Sequence, residues 1–184
     1  MIINALIVLA VLAALFIMAV SRRPDDVRVT RSARISAPPE VVFEQVNDIR
    51  KWQAVSPYAR LDPAAKNTFE GPPAGVGAAL AWSGNKKIGE GRMMIAESRP
   101  SELVRMKLAF VRPFASTATA EFTFTPQAED TVVTWSLIGR SHFMGKAIGM
   151  FINMDKMCGA QFEEGLANIR AVAEREQPVL QAAR

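Results

Sequence analysis

The sequence has few of the side chains that most often carry out chemistry. Its 184 residues include one cysteine, one histidine and one tyrosine. A single cysteine excludes an internal disulfide, and one cysteine with one histidine excludes a closed zinc site of nitrogen and sulfur ligands within one chain. The acidic residues show no metal-loop spacing. We therefore expect neither a metal nor a cofactor.

The sequence also lacks a phosphate-binding loop. Such loops read G-x-x-x-x-G-K-[ST], or G-x-G-x-x-G opening a helix. The glycine-rich residues 71–84, GPPAGVGAALAWSG, match neither pattern, and their two prolines lack the N–H donors that a phosphate cradle needs. This segment predicts a turn that feeds a strand, with Leu80 and Trp82 on an inner face that forms one side of an apolar pocket.

Charge is absent from the first twenty residues, and Asn4 is the only polar side chain in residues 2–20. As a helix this segment spans roughly 28 Å, close to the hydrocarbon thickness of a bilayer. We expect residues 1–21 to be a transmembrane anchor, 22–27 a linker, 28–176 one domain and 177–184 a frayed tail. A cleaved signal peptide is the alternative, although its apolar region is normally about 7 to 15 residues long and follows a basic start.

Positive charge follows the apolar segment rather than preceding it. The arginines nearest to it are Arg22, Arg23, Arg28, Arg31 and Arg34. The positive-inside rule then places the domain in the cytoplasm, and the single cysteine fits a reducing compartment. The periplasmic or extracytoplasmic side stays open as the alternative. The net charge of +4 is spread out, without a basic run interleaved with aromatics, so we expect no nucleic-acid partner.

The remaining residues fall into three blocks that differ in the spacing of their apolar side chains. Residues 27–36 predict a strand. Ser36 then predicts an N-cap for a helix that begins at the following two prolines, and residues 48–54 predict a second short helix. Alternation then predicts six strands joined by turns too short for parallel crossovers. Spacings of three and four predict a long last helix that Pro178 ends. The six strands are 67–70, 78–83, 89–98, 103–110, 116–125 and 131–139.

One apolar sheet face and one apolar helix stripe must bury each other. We predict an α+β fold in which a curled antiparallel sheet of six to seven strands holds the long C-terminal helix, plus one N-terminal transmembrane helix. A sheet curled around a helix leaves a concave apolar space of the kind that binds small molecules. The residues predicted to line this space are Trp52, Leu80, Trp82, Met93, Ile95, Met106, Phe122, Trp135, Met154, Cys158 and Phe162.

Five segments, in this order and spacing, carry a resemblance over about residues 28–175. They are Arg34-Ile-Ser-Ala-Pro-Pro-Glu-Val-Val-Phe, Lys51-Trp-Gln-Ala-Val-Ser-Pro, Gly71-Pro-Pro-Ala-Gly-Val-Gly-Ala, Gly89-Glu-Gly-Arg-Met, and Met154-Asp-Lys-Met with Phe162-Glu-Glu-Gly-Leu-Ala-Asn. The chain resembles the START-like superfamily, also called SRPBCC, in its polyketide-cyclase/dehydrase branch. The resemblance implies a helix-grip fold with a hydrophobic cavity between the sheet and the C-terminal helix. It implies no single reaction, since the superfamily includes lipid carriers, hormone receptors and cyclases.

The chain departs from this resemblance at Val55, where many relatives carry a tryptophan before Ser-Pro. If this position lines the mouth of the cavity, the ligand or its entry route differs from that of close relatives.

Two functional hypotheses follow. The favoured one is a membrane-anchored module that binds a hydrophobic small molecule or lipid. The alternative is a polyketide cyclase/dehydratase-like or hydrolase enzyme acting on a similar apolar substrate. For an enzyme, the candidate polar groups are His142, Tyr58 and Glu97, the last of which is spaced to share a face with Met93 and Ile95. These residues do not decide whether the protein is an enzyme, and a purely protein-binding role is a third possibility.

Overall fold

The structure, a computed structural model, describes residues 2–141, 143–150 and 153–182. Six strands were predicted after the first one, and all of them are present. The elements are α1 (Ile2–Ser21), β1 (Asp26–Ile35), α2 (Pro39–Asn47), α3 (Ile49–Val55), α4 (Pro57–Leu61), β2 (Lys66–Glu70), β3 (Ala79–Ser83), β4 (Glu90–Arg99), β5 (Leu103–Arg112), β6 (Ser116–Gln127), β7 (Asp130–Arg140), α5 (Phe143–Ile148) and α6 (Met154–Ala182).

The seven strands form one sheet in the order β1-β7-β6-β5-β4-β3-β2, and every neighbouring pair is antiparallel. The sheet and the long helix α6 confirm the predicted α+β helix-grip fold. One end of the sheet carries the start of β1, the end of β7 and the turns 84–89 and 113–115. We call it the α1 end, because α1 leads directly into β1. The opposite end carries the turns 71–78, 100–102 and 128–129.

Helix α1 is the one helix in the described ranges that is long and apolar enough to cross a membrane. Its side chains are exposed along its whole length except for Val20, which is buried. A signal sequence near the N-terminus can also be long and apolar enough to meet this description.

The helices differ from the predictions in four places, one of which is the short helix α5, which was not predicted. Pro38, not Ser36, is the N-cap of α2, and the Ser36 amide instead donates to Glu174 Oε1 at 3.1 Å. Helix α4 was not predicted. Its first residue is Pro57, whose fixed φ suits a first helical turn even though Ser56 before it is extended. Helix α6 continues through Pro178 to Ala182 rather than ending at the proline.

A β-bulge between Ile95 and Glu97 moves Glu97 to the outer face of the sheet. Ile95 pairs with Met106, whereas Glu97 pairs with the next residue, Arg105. The Glu97 carboxylate forms an ion pair with the Arg105 guanidinium. The prediction that Glu97 shares a face with Met93 and Ile95 is therefore wrong, because the extra residue reverses the alternation that the prediction used.

The inner face of the sheet packs closely against α6 at Gly165. A Cβ atom at this position would lie 2.7 Å from the Trp135 ring and 3.1 Å from Pro57. The absent side chain lets the helix, the sheet and α4 meet at one point.

Arg31 of β1 binds the first turns of α6. Its guanidinium donates to the Asp155 carboxylate at 3.0 and 3.1 Å and to Glu163 at 2.8 Å. Hydrogen bonding and the charge of Arg31 lower the pKa of Asp155. This interaction aligns the start of α6 with the edge strand.

We expect Gly165→Ala to destabilise the protein by roughly 1–2 kcal/mol, because overpacking outweighs the helix propensity of alanine. Urea unfolding of the full chain in detergent, followed by tryptophan fluorescence, measures this. The control, Ala167→Gly on the exposed face of α6, measures propensity alone and is expected to cost about 1 kcal/mol. A Gly165→Ala protein more stable than wild type would contradict the close contact.

We also expect part of the stability to depend on the charge of Asp155. Its folded pKa lies below its unfolded value of about 3.9, so its contribution is complete above that pH and is lost as the pH falls through the folded pKa. Unfolding midpoints measured downward from pH 6 should fall less steeply for Asp155→Asn and Arg31→Gln than for wild type. Identical slopes in all three proteins would rule out this contribution.

Candidate ligand-binding site

The middle of the interface between sheet and helix is filled by aromatic rings. Trp135 of β7 stacks on Phe162 of α6 with ring centroids 4.0 Å apart. Trp52 of α3 contacts Phe122 and Trp135 edge-on at 5.3 and 5.2 Å. All four residues were predicted to line the binding space, and the structure brings them together as buried core. Three others are also buried in the core, namely Leu80, Ile95 and Met106.

Burial decreases from this aromatic layer toward the α1 end. Several inner-face residues on that side are only half-buried. The cross-strand pairs there include small residues, because Ala118 pairs with both Leu108 and Gly139. We call this region the open half of the grip, defined on the sheet by Trp82, Met93, Leu108, Phe110, Ala118 and Leu137.

Trp82 and Phe110 form the edge of the open half at β3 and β5. Their rings contact edge-on at 5.9 Å across Gly91 of the intervening strand β4. A Cβ atom at Gly91 would lie 2.5 Å from the Trp82 ring, so only glycine lets this ring lie flat on the sheet. The Trp82 indole also donates to the Ile88 carbonyl at 3.1 Å, which holds the ring in this orientation.

Tyr58 of α4 and Cys158 of α6 complete the open half on the helical side, where both pack against the core. Burial raises the pKa of the Tyr58 phenol, and the charge of a nearby Cys158 thiolate adds to the effect. Burial also raises the pKa of Cys158, with a further contribution from the negative charge of Asp155. At neutral pH both groups are therefore uncharged and able to donate a hydrogen bond.

Two buried indole donors have no partner in the described part of the chain. They are Nε1 of Trp52 and Nε1 of Trp135. Leaving a buried donor unpaired costs about 1–3 kcal/mol, and native proteins rarely accept this cost without another role for the group. Both rings belong to the aromatic layer at the inner boundary of the open half. An oxygen acceptor placed beside these rings could accept a hydrogen bond from an indole N–H that has no partner within the described residues.

The remaining candidates lie elsewhere or outside the described residues. His142 is outside them, and so is the side chain of Met154. Glu97 lies on the outer face, as described above. The described ranges contain no group of His, Cys, Asp and Glu side chains able to hold a metal ion.

A surface groove of about 430 Å³ lies at the opposite end of the sheet. Its lining combines the charged residues Glu40, Glu44, Asp48 and Lys51 with apolar ones such as Phe43 and Pro100.

Sequence reasoning missed Tyr58 as a neighbour of Cys158 because α4 was not predicted. The signal was present in the sequence, since Ser56-Pro57 is the combination of N-cap and first helical residue that often begins a helix. Leu137 was missed because the two faces of its strand differ little in polarity.

We expect Cys158 to react slowly with N-ethylmaleimide at pH 7.5, and its rate to keep rising above pH 8.5, because a raised pKa leaves little thiolate. Mass spectrometry of the full chain reports this reaction directly, since the chain has no other cysteine. The matched control carries Cys158→Ala with Ala160→Cys, which moves the thiol to an exposed position on the same helix. Equal rates in the two proteins would contradict the half-buried position of Cys158.

Comparison with known proteins agrees with this architecture. Residues 26–174 match the family model described as polyketide cyclase / dehydrase and lipid transport. No curated protein is a significant match. Among solved structures, protein CV1439 from Chromobacterium violaceum is similar at 17% identity and a TM-score of 0.57, with 83% of this chain and 99% of that chain covered.

Two further structures have the same fold. Major latex-like protein 151 from Panax ginseng is 13% identical with a TM-score of 0.56, and the match covers 81% of this chain and 98% of that one. The di-domain ARO/CYC StfQ from the steffimycin biosynthetic pathway is 12% identical with a TM-score of 0.61, covering 85% of this chain and 53% of StfQ. At such identities the likeness shows the fold alone. The family match spans most of the chain, and the chain therefore belongs to the polyketide cyclase / dehydrase and lipid transport family of the START-like (SRPBCC) superfamily.

Proposed function

We propose that this protein is a membrane-anchored module that holds a hydrophobic small molecule or lipid in the open half of the grip. The observation that carries the proposal is the decrease in burial along the inner face. The aromatic layer is packed solid, whereas the apolar residues on its α1 side are only half-buried. Apolar side chains left half-covered inside a concave fold gain free energy when an apolar ligand covers them, about 25 cal/mol per Å² removed from water.

The polar groups at this site suit a ligand with an oxygen acceptor on an apolar body. The Tyr58 phenol stays protonated at neutral pH because its pKa is raised. The rings of Trp52 and Trp135, whose indole donors are unpaired, belong to the aromatic layer that borders the site. A few donors in an otherwise apolar pocket orient a ligand without adding charge. A carbonyl or hydroxyl group on a lipid or polyketide-like molecule meets these requirements.

The membrane part of the proposal assigns α1 as an uncleaved span. Its exposed apolar side chains need a hydrocarbon environment, and the arginines that follow favour a cytoplasmic domain. The start of the domain is also bound to the segment that contains α5. Arg23 donates to the Gly149 carbonyl at 2.9 Å. The backbone carbonyl of Asp25 accepts from the Ser141 amide at 2.6 Å, and the Asp25 carboxylate pairs with Lys146. An anchored domain stays next to the phase into which apolar ligands partition.

The alternative is an enzyme of the cyclase, dehydratase or hydrolase type. Tyr58 is the described residue that favours it, because a buried neutral phenol is suited to donate a proton or hydrogen bond to a substrate oxygen. Glu97 gives it no support, since its carboxylate points to the outer face and pairs with Arg105.

Two variants, each with one alanine replaced by tryptophan, test the binding proposal. Ala118→Trp fills the open half, whereas Ala109→Trp makes the same change at an exposed outer-face position on the neighbouring strand. The full chain in nanodiscs is irradiated with a diazirine analogue of palmitic acid, and labelled peptides are mapped by mass spectrometry. We expect label on β4, β5 and the first half of α6, reduced about tenfold by Ala118→Trp, which corresponds to about 1.4 kcal/mol of binding free energy.

Circular dichroism of both variants confirms that they fold. Ala109→Trp should keep the labelling of wild type. Label confined to α1, or labelling of the domain that is equal in the two variants, would refute binding in the open half.

A further inference from the structure

Exposed apolar side chains are concentrated at the α1 end of the sheet. Outside α1, six of the seven large hydrophobic residues exposed in the described ranges lie on this side, and only Val76 lies at the opposite end. Phe114 is the most exposed of them, at 63%, and occupies the tip of the turn between β5 and β6. The others on this side are Val111, Ile138, Phe143, Met150 and Met157.

Unpaired positive charge lies at the same end. Lys86 and Lys87 are exposed in the turn between β3 and β4, and neither forms an ion pair with any residue that the structure describes. The carboxylate of Glu90 beside this turn is paired with Arg112. Arg22 and Arg23 follow α1 on this side and are also exposed.

The opposite end carries several carboxylates. Glu40 and Asp48 line its surface groove, where Glu44 is paired with Lys51, and Glu129 is exposed on a turn, whereas Glu102 is paired with Arg99. An anionic bilayer surface would therefore attract the α1 end more strongly than the opposite end.

We propose that the α1 end of the domain contacts an anionic lipid bilayer, with Phe114 in the interfacial region and Lys86 and Lys87 against the headgroups. This orientation turns the open half of the grip toward the membrane, because its half-buried residues lie on the α1 side of the aromatic layer. An apolar ligand then moves between bilayer and site without crossing water. The inference rests on the membrane residence assigned above, and it adds a specific docking surface to that proposal.

Two tryptophan variants test the docking. Phe114→Trp and Val76→Trp replace residues of similar exposure, 63% and 60%, at the two ends of the sheet. Each full-length variant is placed in nanodiscs made with brominated phosphatidylcholine, either alone or with one third phosphatidylglycerol, and its quenching is compared with wild type. We expect added quenching only for Phe114→Trp, at least twofold stronger in the anionic discs. Lys87→Glu in the Phe114→Trp chain should remove this anionic enhancement, whereas Lys107→Glu, on an exposed residue in the middle of the outer face, should leave it.

Co-elution of the chain with the discs separates the two proposals. Loss of the chain from the discs refutes the anchor on which docking rests. A chain that stays with the discs while Phe114→Trp shows no added quenching overturns the docking surface alone. Equal quenching at positions 114 and 76 overturns the orientation, and equal quenching in neutral and anionic discs overturns the role of the lysines.

Discussion

The stacked contact between Trp135 and Phe162 is the interaction on which the rest of the structure depends. It joins the inner face of the sheet to the long helix at 4.0 Å, a separation possible because Gly165 carries no side chain next to it. The other elements are placed around this contact. Trp52 brings α3 against the rings, Pro57 brings the first turn of α4 against Gly165, and Arg31 aligns the start of α6 with β1.

This contact divides the domain into two halves with different roles. On the side away from α1, the helices α2 and α3 cover the sheet, and aromatic and branched residues such as Phe124 and Val46 are fully packed. Most of the apolar burial that offsets chain entropy lies there. On the α1 side, small residues such as Ala118 and Gly91 leave the apolar face half-covered. In our proposal, this half-covered part of the apolar face holds the ligand.

The same division determines how the domain meets a membrane in our proposal. The strand direction of β1 places the N-terminal helix, the exposed Phe114, Lys86 and Lys87 at one end of the sheet, and that end adjoins the open half. A hydrophobic ligand, its entry route and the bilayer thus lie on one side of the molecule. The acidic groove at the other end faces away.

Much of the fold could be predicted from the sequence. Apolar residues spaced two apart show which face of a strand is apolar, and spacings of three and four do the same for a helix. All seven strands, the long last helix and the apolar N-terminal helix follow from those periods and from turn residues. The failures have physical causes. A single inserted residue at the bulge places Glu97 on the other face of the sheet. Ser56-Pro57 was interpreted as the end of one helix, but a second helix begins at Pro57.

Composition and alternation alone determined that an apolar sheet face meets an apolar helix, and that candidate binding residues such as Met93 and Trp135 face that interface. Only the tertiary structure decided which of them are core and which border the open half. Burial depends on what packs against a residue from distant parts of the chain. The sequence records that a side chain is apolar, whereas Gly165, Pro57 and the cover of α2 and α3 determine whether any space remains beside it.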